Sequence, residues 1–421
     1  MKSPREVQLQ VPFFRPSVSE AAIAEVSECL RSGWLTTGPR VKQFEAEFAE
    51  FIGARHAVAV NSCTAALHLA VEAMNLKPGQ GVLVPTMTFA ATAEIVLYQG
   101  GIPILVDCDP VTLNLDFDDA ATKLAAARSG ALTGSPLAVV GMIPVHVGGL
   151  MIDVDQIDAF ATTHELWVVE DAAHALPSSF RSSEDQPWQR CGANTAAVTC
   201  YSFYANKTMT TGEGGMAVTA DAALADRMRQ MSLHGLSHDA WKRFQGNTPW
   251  DYQIVAPGYK YNLTDLAAAI GLHQLQRAET MRQERQEIAE FFLRRLDHVA
   301  ELELPPRPHN RLHSWHLFPI RLVLDRLSLD RNAFIQCLRA HGVGCSVHWR
   351  PLHLHPYYQQ TLRWRATDCP TATDVWDRLV SLPIFPGMTE AEREHVVRVV
   401  AGLCAEHALR QPATSTPRSG T

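Results

Sequence analysis

Lys207 lies in "SFYANKTMTTGEGGM", Ser202 to Met216, just ahead of the small residues Thr210, Thr211, Gly212, Gly214 and Gly215. A lysine amine adds to carbonyl carbon, and glycines let the backbone pass close to a ligand. A lone lysine is more often a solvated side chain, so other segments have to decide. Asp171 ends the apolar run "LWVVED", where a buried strand would deliver a carboxylate at its tip, with Glu170 facing the opposite side. The structural alternative for Asp171 is an N-cap for "AAHAL". His174, three residues on, is either a hydrogen-bond donor to a ligand oxygen or a packing residue.

Two further stretches extend the set. In "NSCTAALHLA" a strand, a turn of small polar residues and a helix opening at Thr64-Ala65 form a candidate anion cradle, with the hydroxyls of Ser62 and Thr64 close by; a plain cap is the alternative. Ser202, five residues before Lys207, could add a contact. Phe89, in "VPTMTFAATAE", follows an apolar strand and could lie flat on a ring, although an isolated Phe is more often core. Amine, carboxylate, anion cradle and flat ring together meet the four needs of pyridoxal 5'-phosphate (PLP).

Elements that would position these residues are legible between about residues 56 and 220. Short apolar runs ("HAVAV", "GVLVPT", "IPILVD", "LAVVGMIPV", "LWVVED", "AAVTCYSF", "GMAVTA") alternate with helical patterns, the signature of an α/β domain with a mostly parallel sheet. Lys207 and Asp171 would then both sit at the carboxyl ends of strands, where open α/β sheets bind ligands. "LAAAIGLHQLQRAETMRQERQEIAEFFLRRL" predicts a long helix, interrupted in pattern only by Gly271, that leads into a smaller α+β lobe. The expected division is a large domain with an N-terminal arm over 1–290, a small domain over 291–410, and a disordered Pro/Ser/Thr-rich tail over 411–421.

Composition narrows the class. The chain has 421 residues, 46% apolar and 19% charged, with a net charge of −7 that disfavours a nucleic-acid partner. It has no apolar run long enough to insert in a membrane and no export signal at its start, so a cytoplasmic protein is expected. Nine scattered cysteines without a C-x-x-C pair suggest free thiols. The histidines of "VHWRPLHLHPYY" (His348, His353, His355) lack an acidic partner and are not expected to hold a metal. With Arg350 and the pair Tyr357-Tyr358 they suit recognition of a hydroxyl- and phosphate-rich ligand.

Taken in order, "GWLTTGPRVKQFEAEFAEFIG", "TAALHLA", "VPTMTFAATA", "PVHVGG", "EDAAHA", "SFYANKTMTTGEGGM", "LHGLSHDAWKR", "PGYKYNLTDLAAAIGL", "SWHLFPIRL" and "LHLHPYY" resemble the DegT/StrS-type sugar aminotransferases, over roughly residues 10 to 410. The resemblance implies the type I PLP-transferase fold, with a seven-stranded sheet. It implies that Lys207 forms the Schiff base, that Asp171 pairs with the ring nitrogen, and that His174 lies near the ring oxygen. Phe89 would stack on the ring, and Thr64, Ala65 and Ser202 would hold the phosphate. Asn262 would reach that phosphate from the other subunit of a homodimer with shared active sites.

Within the family, the pattern is most similar to enzymes that aminate C4 of a UDP- or dTDP-linked keto-sugar with glutamate as donor, such as the one forming UDP-4-amino-4-deoxy-L-arabinose. Amination of a C3 keto-sugar or cyclitol, sugar dehydration on the same fold, and a non-catalytic PLP-binding regulator are the alternatives. Dehydratase relatives carry histidine where Lys207 stands, and no added recognition helix supports a regulator. Three departures from the family pattern stand out: Cys63 in place of a Gly or Ala, Pro177 in place of a glycine, and the long segment "RSSEDQPWQRCGANT", 181–195, expected near the cofactor.

Overall fold

A computed structural model of the chain describes residues 9–193, 196–236 and 253–409; the expected tail, 411–421, lies outside them, as does Ser237–Arg243 of "LHGLSHDAWKR". Two helices, α1 (Glu20–Ser32) and α2 (Pro39–Ile52), lead into the alternating region. It runs β1 (His56–Val60), α3 (Cys63–Ala73), β2 (Gly81–Pro85), α4 (Ala91–Tyr98), β3 (Ile102–Val106), α5 (Phe117–Ser129), β4 (Val139–Met142), α6 (Val154–His164) and β5 (Trp167–Asp171). The short strands β6 (Ser179–Phe180) and β7 (Gln189–Arg190) follow, then β8 (Val198–Ser202), β9 (Gly215–Thr219) and α7 (Ala222–Ser232).

Seven strands form one sheet in the order β1-β9-β8-β5-β4-β2-β3. β9 runs antiparallel to both neighbours, and the remaining pairs are parallel. Helices cover the sheet, so β2, β8 and β9 are buried at every position. That burial on both faces is why these strands read as continuous apolar runs rather than alternating ones. Asp171 on β5 lies beside Cys200 on β8, which brings the carboxylate and the lysine-bearing loop to the same edge.

α8 (Asp265–Leu296) continues without a break through Gly271. A β-carbon there would sit 2.8 Å from the Phe44 ring, so the glycine admits an α2 side chain, which offsets its roughly 1 kcal/mol helix penalty. The first half of α8 packs with Phe44, Phe48 and Phe203, and the second half with Trp315, Phe318 and Leu338. The change of core falls between Met281 and Ile288, just ahead of the expected boundary at 290.

Beyond α8 come β10 (Leu302–Glu303), β11 (Arg311–Leu312), β12 (Phe318–Leu322), α9 (Arg331–Ala340), α10 (Pro356–Gln360), α11 (Pro370–Arg378), β13 (Leu379–Leu382) and α12 (Glu390–His407). The small-lobe sheet is β10-β12-β13. "VGCSVHW" makes only single bridges, Val343 to Val11 and Ser346 to Ser381, rather than a strand. The N-terminal arm also departs from expectation: Val11 packs in the small-lobe core and Arg15 pairs with Glu392 on α12 at 2.7 Å. A pair of hydrogen bonds flanking Gly342–Gly344 draws it there, Val11 N–H to the Gly342 carbonyl and Gly344 N–H to the Val11 carbonyl, each 2.8 Å.

Buried polar contacts join the lobes. Asp107, just after β3, accepts the backbone amides of Thr371 and Ala372 at 2.9 and 2.8 Å, capping α11. Lys123 donates to the Asp368 carbonyl at 2.8 Å. All nine cysteines are free thiols, and among the described residues no helix is long and apolar enough to cross a membrane.

Candidate active site

The carboxyl edge of the sheet and the small lobe enclose a cavity of about 640 Å³. The large lobe contributes Cys63, Thr64, Phe89, Asp171, His174, Ser202 and Lys207 to its walls, and the small lobe contributes His316, His348 and Trp349. Six of the eight residues expected to meet the cofactor are therefore together.

The loop carrying Lys207 is pinned at both ends of its turn. Phe203 N–H donates to the Gly214 carbonyl at 2.9 Å and Thr211 N–H to the Phe203 carbonyl at 3.0 Å. A β-carbon on Gly215 would lie 2.4 Å from the Ser62 carbonyl, and one on Gly214 2.2 Å from the Thr211 hydroxyl. The small residues after Lys207 thus let β9 press against the start of α3, setting the amine beside the helix N-terminus. Ser62 caps that helix, its hydroxyl accepting Ala65 N–H at 3.1 Å. The helix opens at Cys63, one residue earlier than expected. Ala65 therefore has its amide engaged and does not line the cavity; Cys63 and Thr64 do.

Burial lowers the Lys207 amine to about 8, against the opposing pull of Cys63 and Asp171. An ammonium has no lone pair for a carbonyl, so below that value the nucleophile is lost in proportion to proton concentration. Uptake of PLP by the cofactor-free protein is expected to quicken with pH and level off above a midpoint near 8. Stopped-flow absorbance measures this; a midpoint near the ordinary lysine value of 10.5 contradicts the burial account.

Asp171 is 5% exposed. Its two oxygens accept the Thr92 hydroxyl at 2.8 Å and the Ala173 amide at 3.1 Å. Burial raises its carboxyl above the ordinary range, opposed by these donors and by Lys207. A cation brought to the carboxylate would favour the ionised form. Glu170 points the other way, as the strand alternation requires, and accepts the Thr199 hydroxyl at 2.8 Å. Its second oxygen lies 3.5 Å from Nε2 of His146. His146, Glu170 and Cys191 place potential metal-ligand atoms within 4.8 Å of one another. Nδ1 of His146 accepts Ile152 N–H at 3.1 Å, so the ring carries a hydrogen on Nε2, which faces Glu170. That tautomer points an N–H, not a lone pair, toward Glu170 and Cys191, which does not suit a metal.

His174 stacks on Trp349, with centroids 4.9 Å apart at 18°. Phe89 is 64% exposed in the single chain, its ring open to the cavity. Ser202 accepts Tyr204 N–H at 3.3 Å. His348 is held through Nδ1 by the Ser381 hydroxyl at 3.0 Å and lowered to about 4 by burial and Lys207.

Other expected residues lie elsewhere. Arg350 turns back to the Leu354 carbonyl at 2.7 Å, and Tyr357 is 50% exposed; neither lines the cavity. His353 is a fully buried brace between the Thr86 and Thr373 hydroxyls, at 2.7 and 2.9 Å. Asn262 donates to the Thr37 hydroxyl at 2.7 Å and borders a separate cavity beside α2 and α7. Of the long segment, the described residues 181–193 do not line the cavity: β7 within it pairs with β6, β6 pairs with β11, and Arg181 covers the Trp188 ring at 4.5 Å. Arg190 in turn pairs with Glu279 on α8 at 3.3 Å and covers the Phe51 ring of α2 at 4.0 Å, which ties the ribbon to the helices instead.

His316, Trp349 and Cys63 were not singled out as site residues by sequence, though "SWHLF" and "HWRP" contain the first two. Trp315, just before His316, has a left-handed φ of 49°, a conformation costing a bulky residue about 1–3 kcal/mol. Arg285 donates to its carbonyl at 3.1 Å, and its indole donates to Gln286 at 2.7 Å. These contacts hold the turn that brings His316 to the cavity.

Residues 16–401 match the DegT/DnrJ/EryC1/StrS aminotransferase family. This chain belongs to that family. The aminotransferase is 41% identical over 391 residues to the spore coat polysaccharide biosynthesis protein SpsC of Bacillus subtilis, covering 93% of this chain and 96% of that one. Its fold is similar to sugar aminotransferase CalS13 of Micromonospora echinospora, with a TM-score of 0.79 and 31% identity over 93% and 99% of the two chains. It is also similar to Spr1654 of Streptococcus pneumoniae, assigned as a sugar aminotransferase and solved in its PLP form, at a TM-score of 0.82 and 28% identity over 94% and 99%. The enzyme is thus a PLP-dependent aminotransferase of the sugar-acting family. Its site fits that cofactor: a half-buried amine, a buried carboxylate, an open aromatic ring and a helix N-terminus border one cavity.

Proposed function

We propose that this enzyme transfers an amino group from L-glutamate to the C4 keto group of a UDP- or dTDP-linked sugar. The observation that carries the reading is the Lys207 amine in one cavity with Asp171, inside a family of sugar aminotransferases. Lys207 would bond the cofactor covalently, and Asp171 would pair with its ring nitrogen. Thr64, Ser202 and the free amides opening α3 would hold the phosphate, Phe89 would cover the ring, and His174 would face its phenolic oxygen. Bound there, PLP supplies an electron sink for the carbanion formed at the donor's Cα.

Lys207 would serve as the proton carrier, its Nζ taking the Cα proton of the donor and, in the opposite half-reaction, delivering a proton to the former C4 carbonyl carbon of the sugar. Its half-buried setting and lowered pKa suit an amine that must both accept and release a proton near neutrality. A lysine at this position, where dehydratase relatives carry histidine, supports transfer over elimination. Asn262 is proposed to complete the phosphate site of a second copy, because its own chain keeps it outside the Lys207 cavity.

Two half-reactions test this. The visible absorbance of the holoenzyme is expected to bleach with L-glutamate and to recover with a UDP- or dTDP-4-keto-sugar, giving the 4-amino product by mass spectrometry. Bleaching without recovery by any 4-keto-sugar of the panel, with recovery by a 3-keto-sugar or cyclitol, rejects the C4 assignment. No bleaching by glutamate rejects the donor.

A further inference from the structure

Beside the Lys207 loop lies a second, much smaller cavity, bordered by Asn206, Thr208 and Arg285. Each brings to it a buried polar atom with no hydrogen-bond partner among the described residues: Oδ1 of Asn206, Oγ1 of Thr208 and Nε of Arg285. Thr208 is 5% exposed and Arg285 3%. Thr210 and Gln274, also at this cavity, are already engaged with the Phe203 and Ser17 carbonyls, at 3.0 and 2.7 Å. The walls leave about 10 Å³ for the centre of a water-sized sphere, which is room for one water and for nothing larger.

Buried polar atoms are rarely left unpaired, and these three set the terms for what can pair them. Nε–H of Arg285 can only donate, the Asn206 oxygen can only accept, and the Thr208 hydroxyl does either. Burial lowers Arg285 from 12.5 only to about 10, so the guanidinium stays charged at neutral pH and is a strong donor. A cation would face that guanidinium and an anion would face the amide oxygen, so neither suits all three atoms. A single water does. It accepts from Arg285, donates to Asn206 and takes Thr208 as its third partner, which is the number of hydrogen bonds a buried water typically makes.

We propose that one ordered water occupies this cavity and that Thr208, acting through it, is a positioning residue for Lys207. Asn206 and Thr208 flank Lys207 in the chain. The N–H of Lys207 donates to the Tyr204 carbonyl at 2.9 Å, which fixes the turn ahead of the amine. The water then ties both neighbours of the lysine to Arg285 on α8. Arg285 in turn donates through Nη1 to the Trp315 and Ile384 carbonyls of the small lobe, at 3.1 and 2.8 Å. The backbone that carries the amine is thereby held to the helix that spans both lobes. The inference rests on Lys207 as the amine that bonds PLP.

Crystals of the PLP-loaded enzyme, with and without a bromide soak, test the water. One density peak about 2.5–3.2 Å from all three atoms is expected, with no anomalous bromide signal at that place. The absence of a peak, a peak beyond about 3.5 Å from any of the three, direct pairing of the side chains, or a bromide signal overturns the proposal. Two variants test the positioning. Thr208→Ser keeps the hydroxyl, whereas Thr208→Val removes it with little change of shape. In Thr208→Val the loosened loop admits solvent to the amine, so the pH midpoint of PLP uptake by the cofactor-free protein is expected to rise from about 8 toward 10.5, by at least about half a unit. In Thr208→Ser it is expected to stay within about 0.2 of wild type. The other titratable groups around the amine, Cys63, Asp171, His174, His316 and His348, are the same in all three proteins. A midpoint unmoved in Thr208→Val, or moved equally in both variants, overturns the positioning role. The crystal test needs no substitution, and bleaching of the wild-type enzyme by glutamate does not depend on the water, so failure of the brace and failure of the proposed reaction are told apart.

Discussion

Lys207→Ala is expected to lower amino transfer by at least about 10³-fold, within the 10²–10⁴ range that a positioned acid–base group contributes. The loss would have a chemical origin. Below pH 8 the folded chain holds a half-buried ammonium whose pKa has fallen from 10.5 to about 8, and that penalty fades only as pH rises from 8 to 10.5. Removing the amine therefore relieves the cofactor-free fold at neutral pH, and its melting temperature is expected to hold or rise. A small primary amine such as methylamine, diffusing into the vacated space, is expected to restore part of the activity. Amination within tenfold of wild type by the alanine variant would remove Lys207 from the chemistry.

Asp171→Asn is the second large effect. The amide keeps the shape, and its one oxygen can still accept from Ala173 while its NH2 donates to the Thr92 hydroxyl, but it carries no charge to hold a proton on the ring nitrogen. Loss of one preorganised electrostatic contact in a desolvated site typically lowers turnover about 10²–10³-fold. Both half-reactions are expected to slow by that amount, because the same electron sink serves each. The rates are read from single-turnover bleaching and recovery. A variant that slows only one half-reaction, or neither, contradicts the pairing.

The sequence was most readable where physics is local. Strands buried on both faces are continuous apolar runs, so β5 and β8 could be found and the residues at their carboxyl ends, Asp171 and Ser202, placed with them. The lysine loop was readable because Gly214 and Gly215 are required by close contacts that any side chain would break. Ala65 was misplaced by the small shift between a helix's first residue and its cap, a boundary that Ser62 sets through one hydrogen bond. Arg350 and Tyr357 carry suitable chemistry, but Arg350 is tied back to the Leu354 carbonyl and Tyr357 lies on α10 outside the cavity, placements that side-chain type does not reveal. His316 and Trp349 come from segments far from His174 in sequence, and only the packing of the small lobe on the large one brings their rings together. The arm around Val11 shows the same limit, since its bridge partner, Val343, lies over 300 residues away.

The covalent attachment point is the claim on which the rest depends. Reduction of the PLP-loaded enzyme with borohydride, followed by proteolysis and mass spectrometry, is expected to find a pyridoxyl group on the ε-nitrogen of Lys207 and nowhere else. A reduced, cofactor-occupied enzyme whose Lys207 peptide is unmodified would contradict the account.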